Sequence, residues 1–158
     1  MRNHFEVSAA TPGVDPKKSE PSSFSWSAVL LGAAVGIAGP AFSGTLLSNV
    51  VQWVFLSQGR SVQEAYAYIG QYSFTLPMSI GLAAEVGFAV TCGWVAAAYG
   101  RGASLLQGLA AGLLAASFPV IMLLNPSSYS IPSWYRATML ALPVLGSVVG
   151  AYTFARKA

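Results

Sequence analysis

Charge is what this sequence has least of. Only 8% of its 158 residues are charged, where a soluble domain carries about a quarter. So few charges cannot cover a water-facing surface of this size. Histidine and cysteine occur once each, as His4 and Cys92. That excludes an internal disulfide and leaves no ligand set for a zinc site. The acids number five and are scattered, so no nucleophile, base and orienting group stand together. The sequence therefore points away from an enzyme. No run of basic residues accompanies the net charge of +3, and nucleic acid is not an expected partner. Nothing calls for a cofactor.

What is there is hydrocarbon. Hydrophobic residues make up 54% of the chain, and the mean hydropathy is +0.58. Four runs, about 26–56, 74–98, 104–124 and 134–154, each reach the roughly 20 apolar residues that cross a bilayer. They are unbroken, whereas the strands of a membrane barrel alternate in polarity. The expectation is an all-α polytopic membrane protein, a compact bundle of four transmembrane helices with small-residue packing faces, over 25–158. The lipid bilayer is its first partner. Residues 1–24 are polar, broken by Pro12, Pro16 and Pro21, and lack the apolar core of a signal peptide. They read as a disordered cytoplasmic tail.

The few basic residues are unevenly placed. Arg2, Lys17, Lys18, Arg101, Arg156 and Lys157 fall on the side of the termini, and Arg60 and Arg136 on the other. The positive-inside rule then puts both termini in the cytoplasm of a bacterial inner membrane. Helix starts are marked as well. Ser61-Val62-Gln63-Glu64 reads as a capping box opening a short helix, 62–69, and Ser104-Leu105-Leu106-Gln107 reads as another. Pro77 falls in a first turn, where proline is tolerated. Pro40, Pro119 and Pro143 fall inside spans. Each removes an amide donor and frees the carbonyl four residues back, on Gly36, Ala115 and Met139.

Small residues recur every four positions in each span. The rows are Gly32, Gly36, Pro40, Gly44 and Ser48, then Gly81, Glu85, Ala89, Gly93 and Ala97. Ser104, Gly108, Gly112 and Ala116 follow, and last come Gly146 and Gly150. Positions four apart share a helix face. Small side chains there let membrane helices approach closely. Glu85 interrupts such a row within the stretch GLAAEVG, so it faces protein rather than lipid. It lies too deep to reach Arg136, and Ser43, Ser117 and Ser147 fall at a similar depth. Kept from water, a carboxyl favours its neutral form, and the expected role is a hydrogen-bonded tie between helices. Proton or ion handling is the alternative, because an intramembrane ionisable residue marks function by default. The other candidates for a polar path, Asn49 and Gln52, lie nearer the end of the first span.

Aromatic residues gather on the side opposite the termini. Tyr66, Tyr68, Tyr129, Trp134 and Tyr135 lie in or beside those loops. They suit a headgroup belt or a surface for a protein partner.

FSWSAVLLGAAVG and CGWVAAAYGRGASLLQGLAAGLLA resemble segments of small bacterial four-helix inner-membrane proteins of unassigned function. In those, the second span ends in Gly-Gly-Tyr-x-Ala-Ala and a His-Gly pair opens the third. Here the positions read Cys92-Gly93-Trp94-Val95-Ala96-Ala97 and Gln107-Gly108. The resemblance implies the fold and carries no active site. In size and layout the chain is also similar to membrane-resident immunity proteins. The expected function is binding without catalysis: neutralising a membrane-inserting, pore-forming toxin. The alternatives are a small accessory subunit of a larger membrane complex, or a proton- or ion-coupled transport component using Glu85.

Overall fold

The computed structural model describes residues 24–70, 75–100, 102, 104–124 and 132–156. Most of the expected tail, Arg101, Tyr129 and the last two residues lie outside the described residues. The described residues form five helices: α1 Trp26–Ser57, α2 Val62–Ile69, α3 Leu76–Tyr99, α4 Ser104–Leu123 and α5 Ser133–Ala155. All but α2 are long and apolar enough to cross a membrane. This is the all-α four-helix bundle of a multi-pass membrane protein.

The helix starts follow local chemistry. Ser25 caps α1, accepting a hydrogen bond from the Ala28 amide at 3.5 Å. Gly59, at φ 73°, makes the left-handed turn out of α1 that favours glycine. The capping box of α2 forms in full: the Ser61 amide donates to the Glu64 carboxylate at 3.1 Å, and the Glu64 amide to Ser61 Oγ at 3.2 Å. Two contacts hold α2 and the turn before it against α1. The rings of Phe55 and Tyr68 lie 5.4 Å apart, and the Arg60 guanidinium sits 5.1 Å from the Phe55 ring centre. α3 starts at Leu76, two residues later than the apolar run suggests, with Pro77 in its first turn. α5 starts at Ser133, where Pro132 accepts from the amides of Tyr135 and Arg136 at 3.1 Å each.

One start differs from expectation. Ser104 is already the first residue of α4, so it does not stand outside the helix as a cap. Gln107 is fully buried. Its amide packs against Gly100, where a Cβ would collide with it. The side chain is drawn into the bundle, and its Oε1 accepts no hydrogen bond from a described residue, so the reciprocal bond of a capping box is missing.

The packing is inverted relative to a water-soluble bundle. Leu30, Leu31, Phe42, Leu46, Leu113 and Leu145 are exposed, while the core is Val29, Cys92, Ala96, Ala111 and Ala115. Large side chains meet the hydrocarbon and small ones let backbones close up. α3 and α4 lie together, with α1 against both on one side and α5 against both on the other. α3 and α5 pack closest. There Gly93 lies on the backbone of Ser147, and Gly150 on the backbone of Val90. Gly146 faces Ala89, with 2.5 Å from its would-be Cβ to the alanine methyl. Gly108 packs on Ala151, and Gly112 on Ser147 and the Pro143 carbonyl. Gly32 meets the Cys92 carbonyl and Ala96, and Gly36 meets Cys92 and Ala115.

Gly81 departs from this pattern. Although it stands in the same row as Gly93, a Cβ there would meet nothing within 4 Å, and the same holds for Gly44. The helices are tight at the end where α1 begins and α5 finishes, and they separate towards the end that carries α2.

Candidate functional site: a cavity around Glu85

The separation creates a cavity of about 280 Å³ between the four long helices. Glu85 and Gly81 reach it from α3, Pro40, Ser43 and Gly44 from α1, Phe118 and Pro119 from α4, and Tyr135, Met139 and Pro143 from α5. Glu85 is the tenth residue of α3, counting from Leu76, which sets it about 14 Å along the helix at 1.5 Å per residue. That is near the middle of a hydrocarbon core roughly 30 Å thick. The Gly81–Glu85–Ala89–Gly93 row explains the placement. Its Gly93 end is pressed on α5, and its Gly81 end faces open space. Glu85 lies between them, half-buried, on the cavity wall.

The prolines account for the opening. Pro40, Pro119 and Pro143 are the prolines deep inside helices, and all line this one cavity. The residues four back, Gly36, Ala115 and Met139, line it too. A proline withholds the amide that the carbonyl four back would accept, and its ring clashes with that carbonyl and bends the helix. Three helices therefore each lose one i→i+4 hydrogen bond beside the same space, while running on as continuous helices. The residues whose carbonyls lose that donor line the cavity together with one carboxyl group.

The hydroxyls expected to meet Glu85 do not. Ser43 Oγ lines the cavity but donates to the Pro40 carbonyl at 3.1 Å. Ser147 is fully buried between α4 and α5 and donates to the Val144 carbonyl at 2.9 Å. Ser117 is exposed on α4 and donates to the Leu114 carbonyl at 2.6 Å. Each satisfies itself on the preceding turn of its own helix, the local competitor that serine always has. Glu85 forms no hydrogen bond or ion pair with any described residue. Asn49 is exposed and Gln52 half-buried, and neither lines the cavity.

The aromatic residues at the α2 end divide. Tyr66 is 57% exposed and Trp134 40% exposed. Tyr68 is half-buried against Phe55. Tyr135 turns into the cavity, its ring 5.6 Å from that of Trp134. They do not form one continuous outward face.

Cys92 and Phe118 are cavity residues to which the sequence assigns no role, and Tyr135, expected at the headgroups or on a partner surface, turns inward instead. The sequence does point to Met139, because each proline and the residue four before it share a helix face. Ala41, Gly44 and Phe118 both line the cavity and are exposed, so the space opens to the surface beside them. The arrangement can hold a proton or a positive charge in a largely apolar compartment. No protein-family model, curated protein or solved structure matches the chain.

Proposed function

We propose that this is a non-enzymatic, multi-pass protein of a bacterial inner membrane that handles protons or cations at Glu85, as a component of ion-coupled transport. One observation carries the reading: Glu85 stands on a cavity wall near mid-span without a side-chain partner among the described residues. A carboxyl at that depth is costly. A structural tie would offset the cost with an interhelical hydrogen bond of about 1–2 kcal/mol at most, and no such bond is formed. A group that takes up and releases a positive charge needs space and access, and both are present. The test is reconstitution in liposomes with a pH-sensitive dye inside. Under an imposed gradient, the wild type is expected to pass protons, alone or coupled to a cation, and Glu85→Gln to lose that flux. Equal flux from the two proteins, or none from the wild type, ends this reading.

A second reading keeps the toxin-neutralising role, favoured by the exposed rings of Tyr66 and Trp134 at the α2 end. A membrane-inserting toxin arriving from outside would meet these first. Deleting the gene and growing the strain beside its parent separates the two. Loss of membrane potential only in contact with toxin-secreting kin supports immunity, and a constitutive transport defect supports the role at Glu85. A defect in a respiratory or other membrane complex would mark an accessory subunit.

A further inference from the structure

The chemistry of the cavity narrows what it can take, on the reading that Glu85 handles positive charge. Size decides first. A bare metal cation needs about six oxygens at 2.0–2.6 Å, and a space of about 280 Å³ is far wider than such a cage. The volume lies instead just below the range of drug-sized sites, roughly 300–1,000 Å³, which suits a small organic molecule. Polarity decides next. Ile37, Phe118, Met139 and the three prolines present hydrocarbon, and no basic side chain is among the lining residues. Negative character comes from three sources. They are the Glu85 carboxylate, the carbonyls of Gly36, Ala115 and Met139, and the electron-rich rings of Phe118 and Tyr135. An aromatic ring within about 6 Å attracts a cation by about 0.5–2 kcal/mol, most when water is excluded. A complementary occupant has one positive charge on a compact hydrocarbon body.

We infer that the cavity binds a lipophilic organic cation, such as an alkyl- or arylammonium, against Glu85 with Phe118 and Tyr135 around it. The exposed lining residues Ala41, Gly44 and Phe118 mark the way in. At mid-span depth that mouth faces hydrocarbon, where such a cation concentrates.

Charge balance fixes the coupling. Empty, the site is neutral when Glu85 carries its proton. As the cation enters, the carboxyl O–H bond breaks, the proton leaves for solvent, and the carboxylate balances the ammonium. One proton exchanges for one cation. The other titratable groups facing Glu85 are Cys92 on α3 and Tyr135 on α5. α1 and α4 contribute none among the lining residues. Arg136 adjoins Tyr135 in sequence but does not line the cavity.

The test uses the full chain in nanodiscs with benzyltrimethylammonium as the probe and neopentylbenzene as its uncharged isostere. Calorimetry in buffers of different ionisation enthalpy reads affinity and proton release together. The wild type is expected to bind the cation with release of one proton and to bind the isostere at least roughly tenfold more weakly, a difference of about 1.4 kcal/mol. Glu85→Gln should lose the cation, Glu85→Asp should retain it, and Phe118→Ala should weaken it with proton release unchanged. Melting curves of each variant show that it is folded. Equal binding of the isostere, or full cation binding by Glu85→Gln, overturns the inference and leaves a merely apolar cavity. Proton flux in liposomes without cation binding also overturns it, while the role of Glu85 in transport stands. Cation binding without flux supports this inference and removes the transport reading.

Discussion

Glycines that look alike in sequence separate into two kinds in space, and their substitution tells them apart. At Gly93 a Cβ would fall on the backbone of Ser147, and at Gly150 on that of Val90. Backbone cannot swing aside as a side-chain tip can. Gly93→Ala and Gly150→Ala should each lower stability by about 1–3 kcal/mol, the usual range for overpacking, read as a lower melting temperature in detergent. Gly81→Ala and Gly44→Ala add a methyl where nothing lies within 4 Å. Alanine gains up to about 1 kcal/mol of helix propensity over glycine, so these two should melt at or above the wild-type temperature. Unchanged melting for Gly93→Ala would show that α3 and α5 do not touch there. Only half of this was legible beforehand. A period of four gives the face on which a residue lies, but not how far away the next helix is. The same limit hid the site around Glu85. Its depth and its orientation towards protein were readable, while the empty space beside it was not. The serines were misjudged for a different reason, because depth alone ignores the carbonyl that each hydroxyl finds on its own helix.

At the scale of elements, the proline-containing helices make the sharper experiment. A proline in a helix interior is about 3 kcal/mol worse than alanine. Pro119→Ala gives the Ala115 carbonyl its amide back and removes the ring that crowds it. The expected result is an equal or higher melting temperature together with reduced flux and weaker cation binding. A lower melting temperature with flux retained would show that the proline serves packing alone. Pro40→Ala and Pro143→Ala should behave alike, since their rings and the residues four back line the same space. The elements themselves were the most legible part of the chain. Unbroken apolar runs gave the four long helices to within about two residues at each end, the usual uncertainty of a helix boundary. The Ser61–Glu64 pair gave α2 outright. The Ser104–Gln107 pair has the same spacing, yet Gln107 Oε1 accepts no hydrogen bond from a described residue and packs against Gly100, so the box does not close reciprocally. The motif is local and the competing contact is not.

For the molecule as a whole, four crossings would place both ends on one side of the membrane, and the basic residues predict that this side is the cytoplasm. A cytoplasmic reporter fused at Ala158 and a periplasmic reporter fused after Tyr129 should both be active. Periplasmic activity at Ala158 would reverse the topology. Helix lengths add a second expectation. α1 has 32 residues and α4 has 20, about 48 Å and 30 Å at 1.5 Å per residue. Against a hydrocarbon core of about 30 Å, α4 is just long enough to span, while α1 must tilt or stand beyond the core. Crosslinking of Ser57 to headgroup-level probes, but not to acyl-chain probes, would place the end of α1 outside the hydrocarbon.

The uneven spacing of the helices also has a mechanical meaning. The end with Gly93, Gly108, Gly112 and Gly150 is pinned at close approach, and beyond Pro40, Pro119 and Pro143 the arms run on without such pins. This is the construction of a pair of tongs, with a fixed joint and jaws that spread without loosening it. Amide exchange should show it as a gradient: slow around Gly93 and Gly150, fast beside the three prolines. A cation held between the jaws should slow only the fast end.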